Sequence, residues 1–219
     1  SFLLLGAALL IIIPKDSRYE EKAEVEGVSA LEAQRSYTFW KLGAIQFLFL
    51  SSLMTIPLHI AIHGIDLGMN PQISALLLSA IGFASIAGRI LVGFYVDQFG
   101  AKNTYIICFI PLIVSLFMLR EVGSHTLLFL TTLIYGFSHG SFFTVVSPAI
   151  KEYFGMKSHG SIFGNILFLG TFGGAICPIF AGVIFDSSGS YDLAFFGLGI
   201  FGIFGLIIAF FLPSQRKST

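Results

Sequence analysis

The sequence predicts an all-α integral membrane protein of six full helical spans and the tail of a seventh. Three observations carry this. Of 219 residues, 55% are hydrophobic and only 11% charged, with a mean hydropathy of +0.88, whereas soluble domains carry about 25% charge. Six apolar runs approach the length, about 20 residues, that a bilayer core needs as helix. The basic residues fall almost wholly on one side of the spans so drawn.

The runs lie at roughly 40–63, 73–95, 104–119, 125–147, 161–184 and 192–212. Between them the connectors Gly64–Gln72, Val96–Asn103, Arg120–Ser124, Pro148–Gly160 and Asp186–Tyr191 are short, so sequential neighbours run antiparallel. Helix is the form such runs take, because unpaired backbone in hydrocarbon costs several kcal/mol per group. Phe and Gly, at 25 and 24 residues, suit packed spans better than a soluble core.

Charge placement tests the parsing independently. Lys15, Arg18, Lys22, Arg35, Lys41, Lys102, Lys151, Lys157, Arg216 and Lys217 share one side; Arg120 alone takes the other, and Arg89 lies inside a span. The positive-inside rule assigns the basic side to the cytoplasm. Residues 14–39 then form a cytoplasmic linker and 213–219 a cytoplasmic tail, flanking a bundle at 40–212. Within the linker, Val28 to Ala33 predicts a short amphipathic helix leading to Trp40 and Lys41, an interfacial anchor. The opening run, 1–13, is too short to span and has no basic residues before it, so it reads as the end of an earlier helix.

Several classes are disfavoured. Charge is balanced, 12 basic against 12 acidic, which gives no field for nucleic acid. Cys108 and Cys177 sit in apolar runs and read as buried thiols. No Cys, Asp or Glu joins the histidines at ligand spacing, so neither a metal nor a cofactor is expected. There is no nucleophile–base constellation or phosphate loop, so the chain does not read as an enzyme.

An internal repeat is the most informative feature. Gly93-x3-Asp97-x2-Gly100 ends the second full span and Gly182-x3-Asp186-x2-Gly189 the fifth, with the aspartates 89 positions apart. Leu67-Gly68-Met69 pairs with Phe154-Gly155-Met156, the glycines 87 apart. Three helices separate equivalent points, so the two copies cross the membrane in opposite directions. That is an inverted repeat of three helices plus three, as found within each half of many secondary transporters.

At these residues the chain resembles a known family. Gly88-Arg89-Ile90-Leu91-Val92-Gly93-Phe94-Tyr95-Val96-Asp97-Gln98-Phe99-Gly100-Ala101-Lys102 is similar to the motif between the eighth and ninth helices of major facilitator transporters. Pro57 through Gly68, Ser147-Pro148-Ala149-Ile150, and Pro178 through Tyr191 resemble the bacterial monocarboxylate-transporter and oxalate/formate-antiporter branch. The resemblance covers essentially the whole chain. It implies the end of helix 6, the central loop and helices 7–12, with the N-terminal six-helix half missing, in a bacterial plasma membrane. The implied activity is movement of a small organic anion by alternating access, with a coupled proton as candidate partner. Gln98 and Ala101 stand where basic residues are common, and Ser85 where some members carry an acid. The fifth span lacks the lysine of the oxalate pattern, so the resemblance implies a monocarboxylate rather than a dianion.

Arg89 is the sharpest site residue. It lies eight residues before Asp97, about 12 Å deeper at 1.5 Å per residue. Insertion there costs about 2.5–3.5 kcal/mol, so it must face a cavity or a partner. No acid of this chain lies at comparable depth. A substrate carboxylate, snorkelling, and an acid of the missing half all remain open as its partner. The resemblance implies the first, since the family's carboxylate-binding arginine has the Arg89-to-Gly93 spacing. His59 and His63, like Tyr135 and His139, each share a helix face one turn apart. His59, Tyr135, His139 and Asn165 are candidate cavity residues, although an interhelical hydrogen bond explains Asn165 equally well. His63 lies close to the outer surface, where solvation suffices; His125 and His159 receive no role. Gly93, Asp97, Gly100 and Lys102, with Gly182, Asp186 and Gly189, are the candidate gating motif. A ligand-binding sensor or scaffold, and a facilitator of a neutral or cationic solute, remain the rival functions.

Overall fold

The structure is a computed structural model and describes residues 26–214. The opening run 1–13, the start of the linker and residues 215–219, with Lys15, Arg18, Lys22, Arg216 and Lys217, lie outside the described residues. Six helices follow in order: α1 (Ala30–Gln34), α2 (Tyr37–Asp66), α3 (Pro71–Met118), α4 (His125–Phe154), α5 (His159–Ser188) and α6 (Asp192–Phe210). All but α1 are long and apolar enough to cross a membrane.

Helix α3 carries two of the expected spans. Its 48 residues would reach about 72 Å at 1.5 Å per residue, over twice a hydrocarbon core of about 30 Å. Gly100, at φ 78° and ψ 169°, divides it into 71–99 and 101–118. The expected connector Val96–Asn103 is therefore a one-residue break, not a loop. Likewise α4 runs through Pro148 to Phe154, where a connector was expected to begin at Pro148. Apolar composition marks the edge of the hydrocarbon, whereas backbone hydrogen bonding carries a helix on into polar residues.

Local chemistry sets the helix starts. Ser29 and Glu32 form a reciprocal capping box on α1, and these hydrogen bonds hold the exposed Glu32 carboxyl below its ordinary range. Ser36, Asn70 and Ser124 accept from the backbone N–H groups of Phe39, Gln72 and Leu127. Pro71 supplies a preset first turn to α3. The short helix expected after Val28 thus exists as α1, seated by the buried Ala33.

The repeat read from sequence has a backbone counterpart. Apart from Gly27, the glycines with positive φ among the described residues are Gly68, Gly100, Gly155 and Gly189. These are the two pairs matched by the repeat. Each ends the first or second helix of a triplet, where a side chain would clash with backbone. Packing follows the same symmetry. Segment 71–99 lies along α4, and its equivalent α5 lies along α2, the equivalent of α4. Glycine lets these backbones approach: a Cβ on Gly140 would collide with the Ser85 backbone, and one on Gly173 with the Phe47 carbonyl. Helix α6 packs on α2 and α3. At the centre Phe49 of α2 stacks on Phe142 of α4 at 3.7 Å and meets Phe109 of α3 edge-on at 5.2 Å.

Candidate functional site

Arg89 and His139 form the centre of the candidate site. The contact of Gly88 with the Phe137 carbonyl and of Gly140 with Ser85 draws 71–99 against α4. This brings the Arg89 guanidinium within Coulombic reach of His139. Arg89 is exposed, and its guanidinium makes no hydrogen bond or ion pair to any described residue. His139 is half-buried, ringed by Tyr135 at 6.0 Å and Phe143 at 5.9 Å, and its Nδ1 is buried without a partner. A cationic fork within Coulombic reach of a histidine with an unused ring nitrogen is a pairing that can take up a carboxylate and donate or accept a hydrogen bond.

Tyr135 faces inward and not into an open cavity. It is fully buried, and its hydroxyl lies 3.0 Å from the Ser52 carbonyl and 3.2 Å from that of Leu53. Pro57 explains the place: lacking an N–H, it leaves the Leu53 carbonyl four residues earlier without a helical donor. Tyr135 supplies one from α4, so in this conformation it braces α4 against α2.

His59 belongs to a separate cluster near the opposite end of the bundle from Lys41. Its Nε2 lies 3.1 Å from the Pro178 carbonyl of α5, and its Nδ1 3.1 Å from the Tyr191 hydroxyl. A carbonyl only accepts, so Nε2 carries a proton; in the neutral ring Nδ1 then accepts from Tyr191. Burial first, then the carboxylates of Asp66 and Asp186, raise the Tyr191 pKa and keep it a donor. His63, expected near solvent, is instead 7% exposed, packed edge-on against Tyr191 and Phe195. The aromatic start of α6 folds over the end of α2 and covers it. Asn165 is half-buried, and its side chain makes no hydrogen bond to a described residue.

The motif residues divide by role. Gly93 meets Thr144 of α4, and Gly182 meets His59 of α2. Gly100 and Gly189 are the two turns. Asp97 and Asp186 are exposed at opposite ends of the bundle, and Lys102 is half-buried beyond the break. Sequence reasoning missed Glu152: its carboxylate accepts from the Ala101 N–H at 2.8 Å and caps the helix that restarts after Gly100. It also missed Gly27, which bridges to Gly155 through Met156 N–H to Glu26 O (2.9 Å) and Val28 N–H to Phe154 O (3.0 Å). These partners lie 51 and 128 positions apart, beyond any local pattern. His125 and His159 act as pins, to the Leu67 carbonyl and to Ser147 respectively.

Residues 42–219 match the Major Facilitator Superfamily. Among curated proteins, the chain is 31% identical over 183 residues to human "Monocarboxylate transporter 7", covering 81% of this chain and 34% of that protein. It is 26% identical to "Monocarboxylate transporter 12" of Rattus norvegicus, covering 71% and 33%. It is 24% identical to "MFS-type transporter 1" of an Ophiocordyceps species, covering 58% and 28%. The chain spans about a third of the length of these relatives.

Proposed function

The chain belongs to the Major Facilitator Superfamily, and from that premise we propose that it is the C-terminal half of a secondary transporter for a small monocarboxylate-like anion. Arg89 carries the reading: it is a cation at mid-span depth, exposed on its helix and unpaired among the described residues. Such a charge in a membrane calls for a partner, and a substrate carboxylate supplies one bidentately. His139 lies within Coulombic reach of it and would provide a second polar contact, with Asn165 of α5 as a further candidate. Tyr135 sets the spacing between α2 and α4 from behind. The names of the monocarboxylate-transporter relatives point the same way.

The inverted repeat supports alternating access. Segment 71–99 on α4 and α5 on α2 are equivalent glycine-mediated contacts. Rocking one against the other would open the two faces in turn around Arg89.

Uptake of radiolabelled lactate or formate by the intact protein tests the proposal. Arg89→Ala should abolish uptake. Arg89→Lys, which keeps charge but loses the planar fork, should retain only a small fraction. Undiminished uptake in Arg89→Ala would remove the substrate role and leave Arg89 to pair with an acid elsewhere in the protein.

A further inference from the structure

A second feature lies on the side of the bundle that carries most of the basic residues. The start of α2 and the end of α6 part to leave an open groove of about 420 Å³, lined by Tyr37, Trp40, Lys41, Ala44, Ile208 and Phe211. The groove has two zones. Its rim carries exposed aromatic rings, Tyr37 at 87%, Trp40 at 57% and Phe211 at 70% exposure, around the Lys41 ammonium. Its floor is the apolar pair Ala44 and Ile208. Among the described residues no carboxylate lines it, and the single charge they place in the groove is positive.

The rim is held in place. The Trp40 indole N–H donates to the Gln34 carbonyl at 2.9 Å, and Trp40 meets Phe39 edge-on at 5.6 Å. Lys41 Nζ donates to the Phe211 carbonyl at the C-terminal cap of α6, at 2.7 Å. An ammonium has three N–H donors, so two remain for a ligand. The Tyr37 hydroxyl makes no hydrogen bond to a described residue.

We propose that this groove is a binding site for an anionic glycerophospholipid of the adjoining leaflet. The phosphate would sit on the free Lys41 donors and the Tyr37 hydroxyl, the glycerol backbone at the level of Trp40 and Phe211, and an acyl chain along Ala44 and Ile208. Each zone matches the part of the lipid at its depth: a cation at the headgroup, amphipathic rings at the interface, aliphatic side chains below. Charge complementarity selects an anionic lipid over a zwitterionic one. The proposal rests on membrane residence and is independent of the transported substrate.

Trp40 is this chain's single tryptophan and stands on the groove's rim, so it can report occupancy. The intact protein is reconstituted in phosphatidylcholine vesicles containing an equal, small mole fraction of either brominated phosphatidylglycerol or brominated phosphatidylcholine. The Trp40 signal is isolated as the difference from Trp40→Phe. Brominated phosphatidylglycerol should be enriched at Trp40 on the order of fivefold, the effect of one basic side chain at an anionic surface. Lys41→Gln should remove that preference and Lys41→Arg should keep it. Equal quenching by the two lipids would mean ordinary boundary lipid and overturn the proposal. So would a preference that persists in Lys41→Gln. The comparison of the two lipids at Trp40, made without any Lys41 substitution, decides the matter even if Lys41→Gln does not fold.

Discussion

Pro57 leaves the Leu53 carbonyl without its helical donor, and Tyr135 fills the gap from α4. One helical defect thus becomes a bond between helices. Tyr135→Phe should lower stability by about 1 kcal/mol, the usual worth of a net hydrogen bond. The drop would appear as a lower unfolding temperature in detergent, and Pro57→Ala in the same background should recover part of it by restoring the helical donor. Gly140 behaves differently, because the space for a side chain is filled by the Ser85 backbone. Gly140→Ala should cost about 1–3 kcal/mol by overpacking, whereas Gly82→Ala, with open space around it, should leave the unfolding temperature unchanged. Of the candidate site residues, Arg89 was legible as a candidate because a charge in a long apolar run is conspicuous by itself. The inward turn of Tyr135 was not, because it depends on the helix it faces.

At the scale of elements, the break at Gly100 decides whether α3 is one helix or two. Its φ and ψ, 78° and 169°, belong to a region that essentially only glycine occupies, where another residue costs about 1–3 kcal/mol. Gly100→Ala should destabilise by that amount, read by thermal unfolding. Glu152→Ala should add a smaller loss by uncapping Ala101, while Glu152→Gln, which still offers a carbonyl acceptor, should recover most of it. The sequence exposed the turn through the Gly93–Asp97–Gly100 spacing and its copy at Gly182–Asp186–Gly189. It did not expose the cap, since Glu152 is 51 residues from its partner. Likewise α1 was readable from the amphipathic run Val28 to Ala33, but its clasp onto Gly155 was not.

Over the whole molecule, the two helices equivalent by the repeat are also the least covered. In the most apolar stretch of α5 only 22% of residues are buried within the chain and in α3 33%, against 56% in α2 and α4. The exposed faces are apolar, as lipid or further membrane helices require. Charge bias predicts an orientation for the whole bundle that can be measured. In a background with Cys108 and Cys177 replaced by Ser, Lys151→Cys should react with an impermeant thiol reagent only from the cytoplasmic side. Glu121→Cys should react only from the opposite side. Reaction of both from one side would refute the topology.

The sequence by itself determined membrane residence, the number of full spans and the inverted repeat. These rest on local quantities: the transfer of some twenty apolar side chains into hydrocarbon, the sidedness of lysine and arginine, and glycines at turns that other residues cannot make. Tertiary structure alone decided which polar groups meet. Tyr135 on the carbonyls of Ser52 and Leu53, His59 between Pro178 and Tyr191, and Arg89 within Coulombic reach of His139 each depend on how one helix is rotated against another. That rotation is set by close-packed contacts between residues many tens of positions apart, a quantity no single stretch of sequence contains.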